Sequence, residues 1–255
     1  MGARIFPGCK ELEYYLKSIL PLNIKDYCPN GLQIEGKRPV RKIVSGVTAT
    51  VELLDAAKET GADALLVHHG LFWKGDSPCL VGWRRERIEA FLDSGISLLA
   101  YHLPLDVHVS YGNNAQLAGI LDIHIAEEKA EQGLIWYGRF KEAIEEAAIE
   151  SYLENRLNHK PLIIKTGRAI QQVAWCTGGA QRYFEQAIDE APFEIDAFIT
   201  GEISEQNVHL AHSTGVTFIA AGHHATERYG VQAICTHLAD YFNIEHEFID
   251  CPSPV

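Results

Sequence analysis

No uninterrupted apolar run in the sequence approaches the roughly 18 residues that a bilayer-spanning helix requires, so a membrane protein of that kind is not expected. The opening stretch MGARIFPGCKELEYYL holds no apolar core of signal-peptide length before its first charges, which predicts a cytoplasmic protein. The six cysteines, at 9, 28, 79, 176, 235 and 251, include no C-x-x-C pair. That spacing fits neither a disulfide framework nor a zinc ribbon, and reduced thiols are expected. Basic residues are scarce, with 22 Lys plus Arg against 34 Asp plus Glu and a formal net charge of −12. This balance opposes a long phosphate-tracking surface and disfavours nucleic acid as a partner, leaving only a local groove built from Lys42, Arg84, Arg85 and Arg87. There is also no G-x-x-x-x-G-K-[ST] phosphate loop, no G-x-G-x-x-G after a strand and no G-x-S-x-G nucleophile elbow.

What remains is the composition of a globular protein: 255 residues, 47% hydrophobic and 22% charged. That length suggests two domains, each able to bury its own core. Lys42–Val47 (KIVSGV) reads as a strand, with Thr48 as the cap of a helix bearing Leu53, Leu54 and Ala57 and closed by Gly61. Asp63–Val67 (DALLV) is a short apolar run of the doubly covered kind. Arg84–Asp93 reads as an amphipathic helix with Ile88, Phe91 and Leu92 inward, and Ile96–Tyr101 (ISLLAY) as a further buried strand. The order β-α-β-α-β predicts a parallel sheet with right-handed crossovers.

A similar order recurs in VAWCT (173–177), DAFI (196–199) and VTFIAA (216–221), which suggests two related halves. Between them the composition becomes acidic and Ala/Glu-rich, flanked by GLIWYGRF and KPLIIKT. The expected fold is therefore α/β, with two related, interlinked α/β domains and mainly parallel sheets. Its divisions are 1–125, an inserted β-α-β element at 126–168, and 169–255.

Ligands gather beyond the carboxyl ends of parallel strands. Here DALLV leads into His68-His69-Gly70, ISLLAY into His102 and Asp106, DAFI into Thr200-Gly201-Glu202, and VTFIAA into His223-His224-Ala225-Thr226-Glu227. Imidazole with carboxylate suits Zn, Fe, Mn, Ni or Co, and no cysteine stands in these loops to build a thiolate site. His223 and Glu227 are four apart and share one helix face if a helix starts there. Adjacent histidines suit two metals better than one, provided the chain turns at Gly70 and the rings diverge. Asp106 is then a terminal carboxylate and Glu227 a bridging or paired one, and five ligands for two metals leave positions open to water.

His102 and His224 are candidate catalytic or proton-shuttling neighbours. Pro29-Asn30-Gly31 reads as a turn, Tyr111-Gly112-Asn113-Asn114 as a helix cap, and Trp73 with Lys74 as a cover or a packing element.

The strings DYCPNGLQIEG, GVTAT, DALLVHHG with FWKG, HLPLD, GNNAQLA, WCTGGAQ, DAFITGEISEQ and AAGHHATERYG resemble the NIF-three-like family, whose members carry the label GTP cyclohydrolase I type 2 homolog. The resemblance runs in order along nearly the whole chain, apart from 126–168. It implies a two-domain α/β subunit, a toroidal homohexamer and two divalent metal ions per subunit. The implied ligands are His68, His69, Asp106, His223 and Glu227. Cys28 departs from the family pattern, which has a small or acidic residue there. The expected function is that of a metal-dependent hydrolase acting on a small molecule, with a non-enzymatic, metal-stabilised ring scaffold as the alternative.

Overall fold

The computed structural model describes residues 6–37 and 39–255, with only the backbone of residues 127 and 128. Two compact units form, each described by itself. One takes the chain up to Tyr111 together with Gly230–Cys251, and the other takes Gly112–Tyr229 with Pro252–Val255.

The first unit begins with α1 (Cys9–Ile19), β1 (Gly31–Ile34), β2 (Lys42–Thr48), α2 (Val51–Glu59) and β3 (Ala64–His69). It continues with α3 (Trp83–Ser94), β4 (Ser97–Ala100) and the single turn α4 (Leu103–Asp106). The second unit adds α5 (Asn113–Ile120), β5 (Ile123–Ala130), β6 (Ile135–Ile144), α6 (Glu146–Leu157), β7 (Leu162–Ile164) and β8 (Ile170–Trp175). It then holds α7 (Phe184–Asp189), β9 (Ala197–Thr200), α8 (Glu205–Thr214) and β10 (Thr217–Ala220). Helix α9 (His223–Phe242) has its first turns in the second unit and the rest in the first, which β11 (Glu245–Phe248) completes.

In the first unit the strand order is β1-β4-β3-β2-β11, and every pairing is parallel except β1 with β4. The near-continuous apolar runs are explained by two covered faces. Ile43, Leu66 and Leu99 pack with Leu12 and Leu16 of α1 and with Val231, Ile234 and Leu238 of α9. Their chain neighbours Val44, Leu65 and Leu98 face Leu53 and Leu54 of α2 and Ile88 and Phe91 of α3. Each such side chain contributes about 1.5–3 kcal/mol relative to exposure.

Two local expectations change. The cap of α2 is Thr50, whose side chain accepts from the Leu53 N–H, because β2 extends through Thr48. Leu92, expected inward, is exposed, since the buried stripe of α3 is only Ile88 and Phe91.

The second sheet runs β5-β6-β8-β9-β10-β7. Its β8-β9-β10 centre is parallel, but β5 with β6, β6 with β8, and β10 with β7 are antiparallel. The expectation of mainly parallel pairing therefore holds for the first sheet and fails for this one. For β5 with β6 the physical reason is their short connection, which permits a hairpin but no crossover. Residues 126–168 supply the end of β5, all of β6, α6 and β7. Trp175, Ile199 and Ile219 pack with Leu117, Ile149 and Leu153. The Phe184 ring stacks on that of Phe198 and meets that of Phe218 edge-on, at centroid distances of 5.6 and 4.9 Å.

The parallel centres of the two sheets share one device. Asp63 Oδ2 accepts the Arg41 and Lys42 N–H groups, at 2.9 and 3.3 Å. Asp196 Oδ2 accepts those of Gln171 and Gln172, at 3.0 and 2.8 Å. Each aspartate thus ties the start of its unit's next strand to the one before.

Candidate functional site

In the first unit the candidate residues lie where β3 and β4 end. Strand β3 continues through His69, so the histidines are not separated by a turn at Gly70 as expected. The twisting strand end sets their rings side by side instead, with centroids 4.7 Å apart and planes at 47°. The fully buried His68 has Nδ1 2.9 Å from the Tyr101 carbonyl, and its Nε2 lies 3.5 Å from Asp106 Oδ1. His69 Nδ1 lies 3.1 Å from Thr48 Oγ1, which gives the residue displaced from the helix cap a place in the site. Asp106 is buried at the end of α4, where Pro104 sits within the first turn.

His102 precedes α4, and one ring nitrogen each of His68, His69 and His102 lie within 4.8 Å of one another. Asp26 holds His102 in place, its Oδ1 2.9 Å from Nδ1. The same carboxylate accepts the Tyr27, Cys28 and Leu103 N–H groups and the Asn30 amide. Burial alone would raise Asp26, but the hydrogen bond and charge of His102, with Asn30 and the Tyr27 N–H, lower it to about 2. Asn30 also accepts the His102 N–H, at 2.7 Å, so the Pro29-Asn30-Gly31 segment does more than turn the chain. Asp26 is the residue the sequence reading missed. Its signal lay only in the string DYCPNG, since the partners that tie it to the site, His102 and Leu103, stand 76 and 77 residues away.

Cys28 is buried beside this cluster. Burial, with the charges of Asp26 and Asp106, pushes its thiol up to about 12, so it stays protonated near neutrality.

In the second unit, His223 and Glu227 share one face of the first turn of α9, as their spacing requires. His223 Nε2 is 3.0 Å from Glu227 Oε2, and its Nδ1 is 2.7 Å from Glu202 Oε1. Glu202 follows β9, so the carboxylate noted at that strand end orients the imidazole. Burial alone would lower His223, but the charge and hydrogen bond of Glu227, with those of Glu202, raise it to about 9. This environment favours positive charge at the ring. Gly178 makes the cradle: a Cβ there would overlap the Glu227 carboxylate and lie 3.2 Å from His223 Nε2, and the φ of +68° itself suits glycine. Thr226 reinforces the same loop by accepting the Gly178 N–H at 3.0 Å.

His224, one residue along the helix from His223, points away from the His223–Glu227 face, and its backbone N–H donates to the Val255 carbonyl. The cap of α5 is Gly112, while the buried Asn114 accepts the Thr177 N–H and donates to the Leu134 carbonyl.

His68, His69 and His223 therefore share one arrangement. Each is fixed through Nδ1 by a carbonyl, a hydroxyl or a carboxylate, which turns Nε2 into the nitrogen a metal could reach. Metal-binding histidines are oriented in this way. The donor set of imidazole and carboxylate fits a divalent transition metal in both units.

Of the basic residues that could have formed a nucleic-acid groove, Arg84, Arg85 and Arg87 stand together in the first turns of α3, and Lys42 stands apart from them. Lys42, at the start of β2, pairs with Glu247, whereas Arg87 reaches the Ala49 carbonyl just past the end of that strand. The strand separates them by about 20 Å. Arg85 pairs with Glu89. No helix among the described residues is long and apolar enough to cross a membrane.

Residues 7–254 match the family described as Duf34/NIF3 (NGG1p interacting factor 3). A Pseudomonas aeruginosa protein named GTP cyclohydrolase 1 type 2 homolog is 50% identical over 248 residues, covering 96% of each chain. An Escherichia coli K12 protein of the same name is 48% identical over 233 residues, covering 91% of this chain and 92% of that one. Among solved structures, protein ybgI, described as of unknown function, superposes with a TM-score of 0.91 at 45% identity. That match covers 97% of this chain and all of the other. A Thermus thermophilus protein superposes with a TM-score of 0.85 at 33% identity, over 96% and 99% of the two chains. With residues 7–254 matching the family model and bacterial relatives about half identical over nearly the whole length, the chain belongs to the Duf34/NIF3 family.

Proposed function

We propose that this protein is a metal-dependent hydrolase of a small-molecule substrate, with a dinuclear centre whose ligands are His68, His69, Asp106, His223 and Glu227. The observation that carries the reading is the fixing of all three ligand imidazoles through Nδ1, by Tyr101, Thr48 and Glu202. Metal-ligating histidines are characteristically held through their other ring nitrogen in this way. Two divalent ions held by these residues would lower the pKa of a bound water and stabilise developing oxyanion charge. Zn, Fe, Mn, Ni and Co all suit these donors.

The chain's own contribution is to place and exclude. Asp26 fixes His102 with Nδ1 engaged, so its Nε2 is the atom that takes up and returns a proton beside His68 and His69. Burial of His68, Asp106 and Glu227 keeps bulk water from competing for the ligands. The name of the bacterial relatives points to attack on a nucleotide ring. The class proposed for this chain is wider, comprising phosphoesters, amides and cyclic amidines. The same reading includes a cytoplasmic toroidal homohexamer, to be checked by native mass spectrometry.

The test is metal content per chain in natively purified wild type, His68→Ala and Glu227→Gln, followed by a hydrolase substrate screen. About two ions in the wild type, with loss in both variants and metal-dependent turnover, supports the proposal. A wild type that neither carries nor takes up Zn, Mn or Fe overturns it and favours a non-enzymatic scaffold.

A further inference from the structure

Beside the imidazole cluster of the first unit lies a cavity of about 340 Å³, lined by Asp26, Tyr27, Cys28, Pro29, Phe72, Trp73 and Lys74. Its two sides come from segments far apart in sequence, the Asp26–Pro29 stretch and the one that follows the β3 histidines. A hydrogen bond of 2.7 Å from the Lys74 N–H to the Tyr27 carbonyl joins them. The walls are aromatic, and Tyr27 and Phe72 remain 44% and 39% exposed. The Trp73 ring lies 5.7 Å from that of Tyr27, 5.2 Å from that of His102 and 5.8 Å from that of His69. Tyr27 in turn meets His102 edge-on, at 4.9 Å. The tryptophan and the tyrosine are therefore shared between the cavity and the imidazole cluster.

We propose that this cavity is the substrate-recognition subsite and takes a planar aromatic or heteroaromatic ring carrying an anionic group. Trp73 and Tyr27 stack on the ring, and Lys74 meets the anion. Three observations support this class. Aromatic side chains left exposed at the rim of a cavity gain most by covering a flat apolar face. The exposed Lys74 ammonium makes no ion pair among the described residues, whereas the one carboxylate in the wall, Asp26, is already turned toward five donors. The volume lies at the lower end for ligand pockets and suits one ring system with its substituent.

The proposal rests on the hydrolase reading only for the position of the reacting bond, toward His69 and His102. Binding of the ring does not depend on it.

The experiment is isothermal titration of the full-length, chelator-treated protein with four probes. GMP and 4-nitrophenyl phosphate carry ring and anion, guanosine carries the ring alone, and inorganic phosphate carries the anion alone. The wild type is expected to bind both ring-plus-anion probes at least about tenfold more tightly than guanosine or phosphate. Trp73→Ala is expected to weaken them by about tenfold, the size of one lost stacking contact. Lys74→Met should bring GMP to the level of guanosine and leave guanosine unchanged. Trp83→Ala, an exposed tryptophan further along the same segment, is the control expected to change nothing. Circular dichroism and melting temperature establish that each variant is folded. Unchanged affinity in Trp73→Ala and Lys74→Met, phosphate binding as tight as GMP, or no saturable binding of either ring-plus-anion probe up to about 10 mM overturns the proposal. Because the protein is metal-free, that outcome stands apart from the metal-content result that tests the hydrolase reading.

Discussion

Replacing Asp26 with Asn tests whether the carboxylate charge holds the loop that carries His102. The Asp26 side chain is 5% exposed and accepts four N–H donors while it pairs with His102. Its pKa falls from an ordinary 3.8 to about 2. Because the folded value lies below the unfolded one, the stabilisation is complete above the unfolded pKa and is lost as the pH falls through the folded one. A shift of this size corresponds to about 2 kcal/mol near neutrality. Asparagine keeps one acceptor but turns an NH2 group toward donors, so nearly all of this is lost. For a chain of this length the variant should melt roughly 4–8 °C lower at neutral pH. The gap between wild type and variant should persist to about pH 5 and be roughly half gone near pH 3. Thermal melts across that range, followed by circular dichroism, provide the measurement. A variant as stable as the wild type at neutral pH, or a gap unchanged between about pH 5 and pH 3, refutes the reasoning.

Glu202→Gln removes the charged partner of His223 Nδ1 and should weaken metal affinity by about 10–100-fold, read by chelator competition, while leaving the fold intact. Gly178→Ala drives a methyl group into the Glu227 carboxylate at a positive φ, so it should cost about 1–3 kcal/mol in urea melts and lower metal content. Cys28 should resist iodoacetamide near pH 8 in the folded protein, where its thiolate fraction is about 10⁻⁴, while the exposed Cys79 is labelled; peptide mass spectrometry distinguishes the two. Early labelling of Cys28 would mean that its burial is incomplete.

The parallel centres of both sheets were legible because doubly covered strands are written as continuous apolar runs between punctuating residues, as in DALLV and ISLLAY. The His223–Glu227 pair was legible because helical spacing is local. What the sequence did not disclose depends on contacts distant along the chain. Asp26 meets His102 and Leu103 only after the β1 and β4 regions have come together. Thr48 and Thr50 are equally good caps by composition, and the choice falls to Thr50 because Thr48 pairs with His69 across the β2–β3 ladder. Leu92 stays outside because two inward residues already fill the face that α3 presents. The β5–β6 hairpin of the second sheet is set by one short connection, whose apolar flanks look the same in either direction.

The matching aspartates, Asp63 and Asp196, sit at the start of strands whose far ends bear the chemistry. Each strand is thereby divided lengthwise into a conservative entrance and a permissive exit. Over β3 the two ends lie about 20 Å apart, beyond the roughly 7–10 Å within which substitutions usually couple. Replacing a histidine or carboxylate at an exit is thus expected to leave the hydrogen bonds of the entrance clamp in place. One copy of the pattern could therefore end in His68-His69 while the other ended in Glu202, without either sheet having to be rebuilt. For protein engineering, the exits are the positions at which to change the chemistry, and the entrances are the ones to leave alone.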